Sequence, residues 1–246
     1  MSIETPEDLA GMELAGKATR AVLEAMKAAV QPGVSTQELD DVGAGAMRAL
    51  GARSAPKLVY GFPGHSCISV NDEIVHGVPG KRKLANGDLV KLDVTIEIGG
   101  YMGDACETIA VGSISNQGKQ LMECASRAFW AGLSAVRPGA RAFDIGKQIQ
   151  RSVRAAGYCV VNGLSGHGIG RTIHEAPRIP NNFDKSCSDV LSEGLIFTIE
   201  PLIAIGTPRT TTLNDGWTVR TRDRSRAAHY EHTVLVTRDG ARLLTA

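Results

Sequence analysis

The sequence predicts a mixed α/β (α+β) protein in which one unit of two helices plus strands is written twice, the halves facing each other across a pseudo-twofold axis. Three observations carry this. Val30-Gln31-Pro32-Gly33 returns 106 positions later as Val136-Arg137-Pro138-Gly139, each Pro-Gly separating a long helical pattern from a shorter one. Leu84 and Gly87 return 107 positions later as Leu191 and Gly194, and the apolar pair Leu89-Val90 corresponds to Leu195-Ile196, 106 positions on. An acidic residue then interrupts an apolar, β-branched run in each half: Asp93 in the first, Glu200 in the second. A repeat this long is no solenoid period.

The elements follow in order. Thr5 caps the first helix, Pro6 suits its first position, and Asp8 completes a Thr-x-x-Asp box. Leu14, Val22, Leu23, Met26 and Val30 supply its apolar stripe, and Pro32-Gly33 ends it. A second helix starts near Ser35 or Thr36 and stops at Gly51. Leu89 to Glu97 and Ile196 to Ile205 read as strands, and the Gly99-Gly100 stretch suits a hairpin turn. Gly166-His167-Gly168-Ile169-Gly170 reads as a tight glycine-lined loop with an imidazole at its centre.

With 246 residues and 43% hydrophobic content, the chain is too apolar for disorder. No Ser/Gly- or Pro-rich linker divides it, so residues 1–246 are expected to form a single domain, with half-domains of approximately 1–112 and 113–246. A formal net charge of +1 gives no global basic field for nucleic acid. The five cysteines are odd in number and unclustered, unlike a disulfide framework. The N-terminus shows no basic region followed by an apolar one. The longest apolar stretch is broken by Glu200 and Pro201, which excludes a membrane helix there. A cytoplasmic monomer with no membrane partner is expected.

Charged side chains are seldom buried unless paired or metal-bound. Asp93, Asp104, Glu200 and Glu231 all stand in or beside apolar β-like runs, and a hairpin through Gly99-Gly100 would bring Asp93 close to Asp104. With His167 they make a carboxylate-rich dinuclear set suited to Mn, Co, Fe or Zn. Metal binding lowers the pKa of water from 15.7 to ~7, on the order of 12 kcal/mol toward a nucleophile at neutral pH. The expected chemistry is hydrolysis by a metal-bridged hydroxide without a covalent enzyme intermediate. Taken singly, a strand carboxylate is more often an exposed edge charge, and Gly-His-Gly is weak; their combination and repeat offset point to a site.

Six motifs then match a known family in order: Ser69-Val70-Asn71-Asp72-Glu73-Ile74-Val75-His76-Gly77, Lys91-Leu92-Asp93-Val94, Tyr101-Met102-Gly103-Asp104, Gly166-His167-Gly168-Ile169-Gly170, Thr198-Ile199-Glu200-Pro201 and Tyr230-Glu231-His232-Thr233. Together they resemble the type I methionine aminopeptidases, metalloexopeptidases of the pita-bread fold. Thirty residues lie between Glu200 and Glu231, too few for the helical insertion of the type II enzymes. The resemblance implies release of N-terminal methionine from nascent proteins or peptides. It also implies two divalent ions (Co, Mn, Fe, Zn or Ni) on Asp93, Asp104, His167, Glu200 and Glu231. Asp104 and Glu231 would bridge the ions, Asp93 would chelate one, and His167 and Glu200 would bind the other. His76 and His174 would contact substrate and stabilise the tetrahedral intermediate, with Glu200 also shuttling protons. A monovalent cation is implied near Asn71.

Departures from the family pattern sit in the specificity pocket. Cys67, Phe62 and Trp217 match it, whereas Val59 stands where a tyrosine is usual, Ile173 where an aromatic is usual, and His229 where glutamine is frequent. The alternatives are a sister aminopeptidase with a different first-residue preference and a non-catalytic pita-bread interaction protein. Arg220, Arg222, Arg224 and Arg226 alternate along one segment; the favoured reading is a solvated basic edge or loop partnered by Asp223, and a transient ribosome contact is the alternative.

Overall fold

A computed structural model describes all residues, 1–246. The first half contains α1 (Pro6–Ala28), α2 (Thr36–Leu50), β1 (Arg53–Ser54), α3 (Ala55–Tyr60), β2 (Cys67–Val70), β3 (Glu73–Val75), β4 (Leu89–Ile98) and β5 (Tyr101–Ala110). The second contains α4 (Asn116–Leu133), α5 (Ala142–Ala155), β6 (Cys159–Val160), β7 (Ser165–Gly168), β8 (Glu175–Pro180), β9 (Ile196–Ile199), β10 (Leu202–Ala204), β11 (Thr210–Thr212), β12 (Val219–Thr221), β13 (Ala227–Thr237) and β14 (Gly240–Leu243). No helix is long and apolar enough to cross a membrane.

Helix α1 starts as its sequence dictates. The Thr5 hydroxyl accepts from the Asp8 amide and the Asp8 carboxylate accepts from the Thr5 amide. The helix ends at Ala28, four residues before Pro32, and its buried face runs through Met12, Ala15, Val22, Leu23 and Met26. Leu14 is exposed, because the turn that buries Met12 and Ala15 points it outward. Ser35 and Glu38 form the corresponding box on α2, and Gly51 closes that helix in the left-handed region at φ 69°.

The duplication is written in hydrogen bonds. Gly33 N donates to Leu84 O at 2.8 Å, and Gly139 N to Leu191 O at 2.9 Å. Thr36 N donates to Arg82 O at 2.9 Å, and Ala142 N to Asp189 O at 3.0 Å. Gly87 N donates to Val111 O at 2.8 Å, and Gly194 N to Val236 O at 2.9 Å. Each bond is repeated about one half-length along the chain.

The strands form one large sheet, ordered β1-β4-β5-β13-β9-β7-β8, with β2, β6, β10 and β14 attached beside that path, and a small sheet β11-β12-β3. All the ladders are antiparallel. Strand alternation sorts the side chains. On β4, Leu92, Val94 and Ile96 point into an apolar core under α1 and α2. A second core under α4 and α5 takes Leu121, Phe129, Ile145 and Ile149, together with Phe197, Ile199 and Val234 from the sheet. Each fully buried side chain of this kind contributes about 1.5–3 kcal/mol. The opposite sheet face therefore carries the polar residues, beginning with Lys91, Asp93 and Thr95.

Two expected elements differ. The strand Ile196 to Ile205 is broken into β9 and β10, because Pro201 has no N–H for the ladder. The Gly166-to-Gly170 segment is largely strand β7 and not a loop. Its glycines are there because other strands press close: a Cβ on Gly166 would lie 2.4 Å from Thr198 O, and one on Gly168 would lie 2.1 Å from Ala176 O.

Candidate active site

Two adjacent rows of side chains cross the polar face of the sheet. In the first, Cys67, Asp93, Cys106 and Glu231 pair across β2, β4, β5 and β13. The β13–β9 ladder stops at His232 opposite Ile199, so Glu200 stands at the next step, opposite Glu231. In the second row Thr95 pairs with Asp104, and Thr233 with Thr198. The Asp104 amide donates to Thr233 Oγ1 at 2.9 Å, and the His167 amide to Thr198 Oγ1 at 3.1 Å, which carries this row onto β7. The hairpin turn that aligns Asp93 and Asp104 uses Gly99 and Gly100 at φ 60° and 82°, values that favour glycine.

Asp93, Asp104, His167, Glu200 and Glu231 thus converge on one cavity of about 310 Å³. His167 Nδ1 lies 3.0 Å from Gly168 O and donates to it, which turns the Nε2 lone pair toward Glu200 Oε1 at 3.5 Å and Asp104 Oδ2 at 3.9 Å. Burial pushes Asp104 up to about 7. Burial and then the charge of Asp104 raise Asp93 and Glu200 well above the carboxylate range, and Glu231 rises for the same causes with Glu200 and Asp93 added. Burial also lowers His167, to about 4, so its ring is neutral.

Such a cluster is unfavourable by itself and is relieved by cations. Asp104 Oδ1 is buried without a hydrogen-bond partner. One ligand atom each from Asp104, His167 and Glu231, and one each from Glu200, His229 and Glu231, lie within 4.8 Å of one another. Carboxylate oxygens with imidazole nitrogen, and no closed thiolate set, fit a catalytic divalent metal centre.

The walls come from several elements. Phe62 and Trp217 meet edge to face at 5.3 Å between centroids, and with Cys67 and Ile173 they line the cavity. His76 lines it from a left-handed backbone position, φ 58°, which is strained for a residue with a Cβ. The His174 ring lies 4.2 Å from that of His167, and Nδ1 of His174 is hydrogen-bonded to the Tyr60 hydroxyl. Val59 does not reach the cavity. It is exposed on the short helix α3, whose last residue, Tyr60, turns inward instead. Neighbouring helical residues point in different directions, so the motif identified the segment but not the side chain.

Sequence reasoning gave no role at the site to three more residues. Thr198 ties two candidate ligands of the second half together: its hydroxyl donates to Glu200 Oε1 at 3.0 Å and accepts from the His167 amide. His229 lines the cavity, and burial, then Lys91 and His76, lower it to about 3. Lys91 is buried, and burial lowers it to about 7; its Nζ donates to Asn71 O at 2.8 Å and Ala227 O at 3.2 Å. The Asn71 carbonyl, near which a monovalent cation was expected, thus accepts from an amine of the chain itself. The arginine segment runs along β12 into an exposed loop. Its carboxylate partner is Asp72, 2.7 Å from Arg224, whereas Asp223 accepts from the Thr207 and Ser225 amides.

Residues 10–238 match the model of metallopeptidase family M24. The chain belongs to that family. It is 40% identical to the methionine aminopeptidase of Escherichia coli K12, over 100% of this chain and 94% of that protein. It is 38% identical to methionine aminopeptidase 1 of Bacillus subtilis, over 98% of each. Among solved structures, the methionine aminopeptidase of Rickettsia prowazekii superimposes with a TM-score of 0.96 at 38% identity, over 100% of both chains. That of Thermotoga maritima gives 0.96 at 36%, over 100% of this chain and 99% of the other. The architecture is the pita-bread fold, and membership of family M24 carries the use of divalent metal.

Proposed function

We propose that this protein is a methionyl aminopeptidase that hydrolyses the first peptide bond and releases N-terminal methionine from nascent chains and peptides. The observation that carries this reading is the cavity in which five candidate metal ligands form the floor and Phe62, Cys67, Ile173 and Trp217 form an apolar wall. An unbranched, adaptable thioether side chain suits such a wall. Asp93, Asp104, His167, Glu200 and Glu231 would hold two divalent ions of the Mn, Fe, Co, Ni or Zn type. When bound, they supply Lewis acidity and a lowered pKa for a water.

The protein's own groups do the rest. His76 and His174 face the cavity as neutral imidazoles, lowered by burial, and can donate to a developing oxyanion. Glu200, raised by burial and by the charge of Asp104, is suited to hold a proton beside the floor. At the Asn71 carbonyl, Lys91 replaces an added monovalent cation. We read residues 1–246 as one catalytic domain whose halves meet near residue 112, supported by the paired hydrogen bonds. It would act in the cytoplasm as a monomer.

A panel of Xaa-Ala-Ser peptides with added Mn or Co tests the substrate. Release of Met well above Leu, Phe or Ala is expected. Absence of Met release alongside efficient release of another residue would overturn the substrate assignment in favour of a shifted pocket at Ile173.

A further inference from the structure

Beside the five residues already placed at the metal centre, His229 stands without an explanation as a packing residue. It lies two positions before Glu231 on β13 and so projects from the same face of the sheet. It is 1% exposed, and neither Nδ1 nor Nε2 has a hydrogen-bond partner. Its position is fixed independently of the ring, because Thr108 Oγ1 accepts from the His229 amide at 2.8 Å and donates to its carbonyl at 2.8 Å. The ring thus has nothing at Nδ1, and at Nε2 only a contact with Glu231 that is not aligned as a hydrogen bond, an arrangement that costs stability unless something else engages both nitrogens.

What the ring faces is the floor of the cavity. His229 Nε2 is 3.2 Å from Glu231 Oε2, and Nε2 or Nδ1, a Glu200 oxygen and a Glu231 oxygen lie within 4.8 Å of one another. That matches the arrangement of Asp104, His167 and Glu231, with Glu231 common to both groups. We propose that His229 is a metal ligand, so that the centre carries two imidazole donors, each grouped with Glu231. The inference rests on the metallopeptidase reading above and deepens it. A second nitrogen donor moves the centre away from the all-oxygen preference of Mn or Mg and toward Co, Ni, Zn or Fe.

The test uses the full chain loaded with Co(II), read by proton NMR and by titration of metal-free protein. Two hyperfine-shifted, exchangeable imidazole N–H signals are expected, one of which disappears in His229→Gln. The variant should also bind one ion at least about 10–100-fold more weakly, the loss that follows even from removing a partner that only orients a ligand, and show a Co-to-Mn preference shifted toward Mn. A single shifted imidazole signal in the unaltered protein overturns the proposal whether or not the variant folds. So do unchanged affinity, metal preference and Co(II) spectrum in a folded His229→Gln. Failure of the unaltered protein to bind Co(II), Mn or Zn at all would instead overturn the dinuclear reading itself, and this inference with it.

Discussion

The two halves share a scaffold but divide the work of the site unequally. In the first half, β4 and β5 run ten residues each and are joined by the two-residue Gly99-Gly100 turn, so Asp93 and Asp104 sit in an uninterrupted ladder. In the second, the equivalent pair is β9 and β13, separated by an excursion that holds β10, β11 and β12 and presents Trp217 to the cavity. Its ligands stand at breaks: Glu200 just past the end of β9 and His167 at a register shift in β7. Regular ladder fixes two carboxylates at low entropic cost, whereas interrupted ladder leaves room for the imidazole and the specificity wall.

The comparison breaks hardest at Asp104, the hairpin carboxylate that reaches toward His167 of the other half. Asp104→Asn should lower peptide hydrolysis by more than about 100-fold and reduce bound metal. Full activity with full metal content would remove the hairpin from the centre. Stripping the metal probes both halves together. Their carboxylates hold protons in the folded state that the unfolded chain has already lost, since Asp104 titrates at about 7 against an ordinary 3.8. The folded state binds more protons in that window, so the metal-free protein should lose stability as pH rises through it, and added metal should abolish the loss. Thermal melts between pH 6.5 and 8, above the range in which the buried histidines His167, His229 and His232 oppose the carboxylates, read this with and without metal; a metal-free melting temperature that rises with pH there contradicts it.

Packing separates the halves more gently. Gly166→Ala would press a Cβ against Thr198 O, which is backbone, and should cost about 3 kcal/mol; Gly103→Ala meets the Thr19 hydroxyl first, at 2.7 Å, and should cost about 1 kcal/mol. Denaturant midpoints would show the order. The smallest contrast is at the caps of α2 and α5. Ser35→Ala removes an acceptor for the Glu38 amide and should cost about 1 kcal/mol, while Arg141→Ala should cost less, because Arg141 makes no side-chain cap bond. Equal losses at the two caps would show that the boxes are equivalent.

Much of this was legible in the sequence where the information is local. The Gly99-Gly100 turn, the capping boxes and the acidic residues inside β-branched runs each depend on a few adjacent residues. The repeat offset extended that reading to the whole fold, and the matched hydrogen bonds follow it. What escaped depends on partners far along the chain. Gly166 and Gly168 read as a loop because the strands that crowd them cannot be seen locally. Tyr60 rather than Val59 faces the cavity because of how α3 is rotated. Leu14 is apolar yet exposed for the same kind of reason. His229 was visible only as a departure from a motif; its two orphaned nitrogens are a fact of packing.

Strand β13 is the seam of the large sheet: β5, β9, β10 and β14 all pair with it. It also carries Glu231 and His229, and its Ala227 carbonyl receives Lys91. Every one of those partners except β14 precedes it in the chain, so on a translating ribosome each is made before the strand that joins them. Until then β5 and β9 present open edges, of the kind that invite mispairing. The joint that unites the halves is also the step on which their assembly must wait.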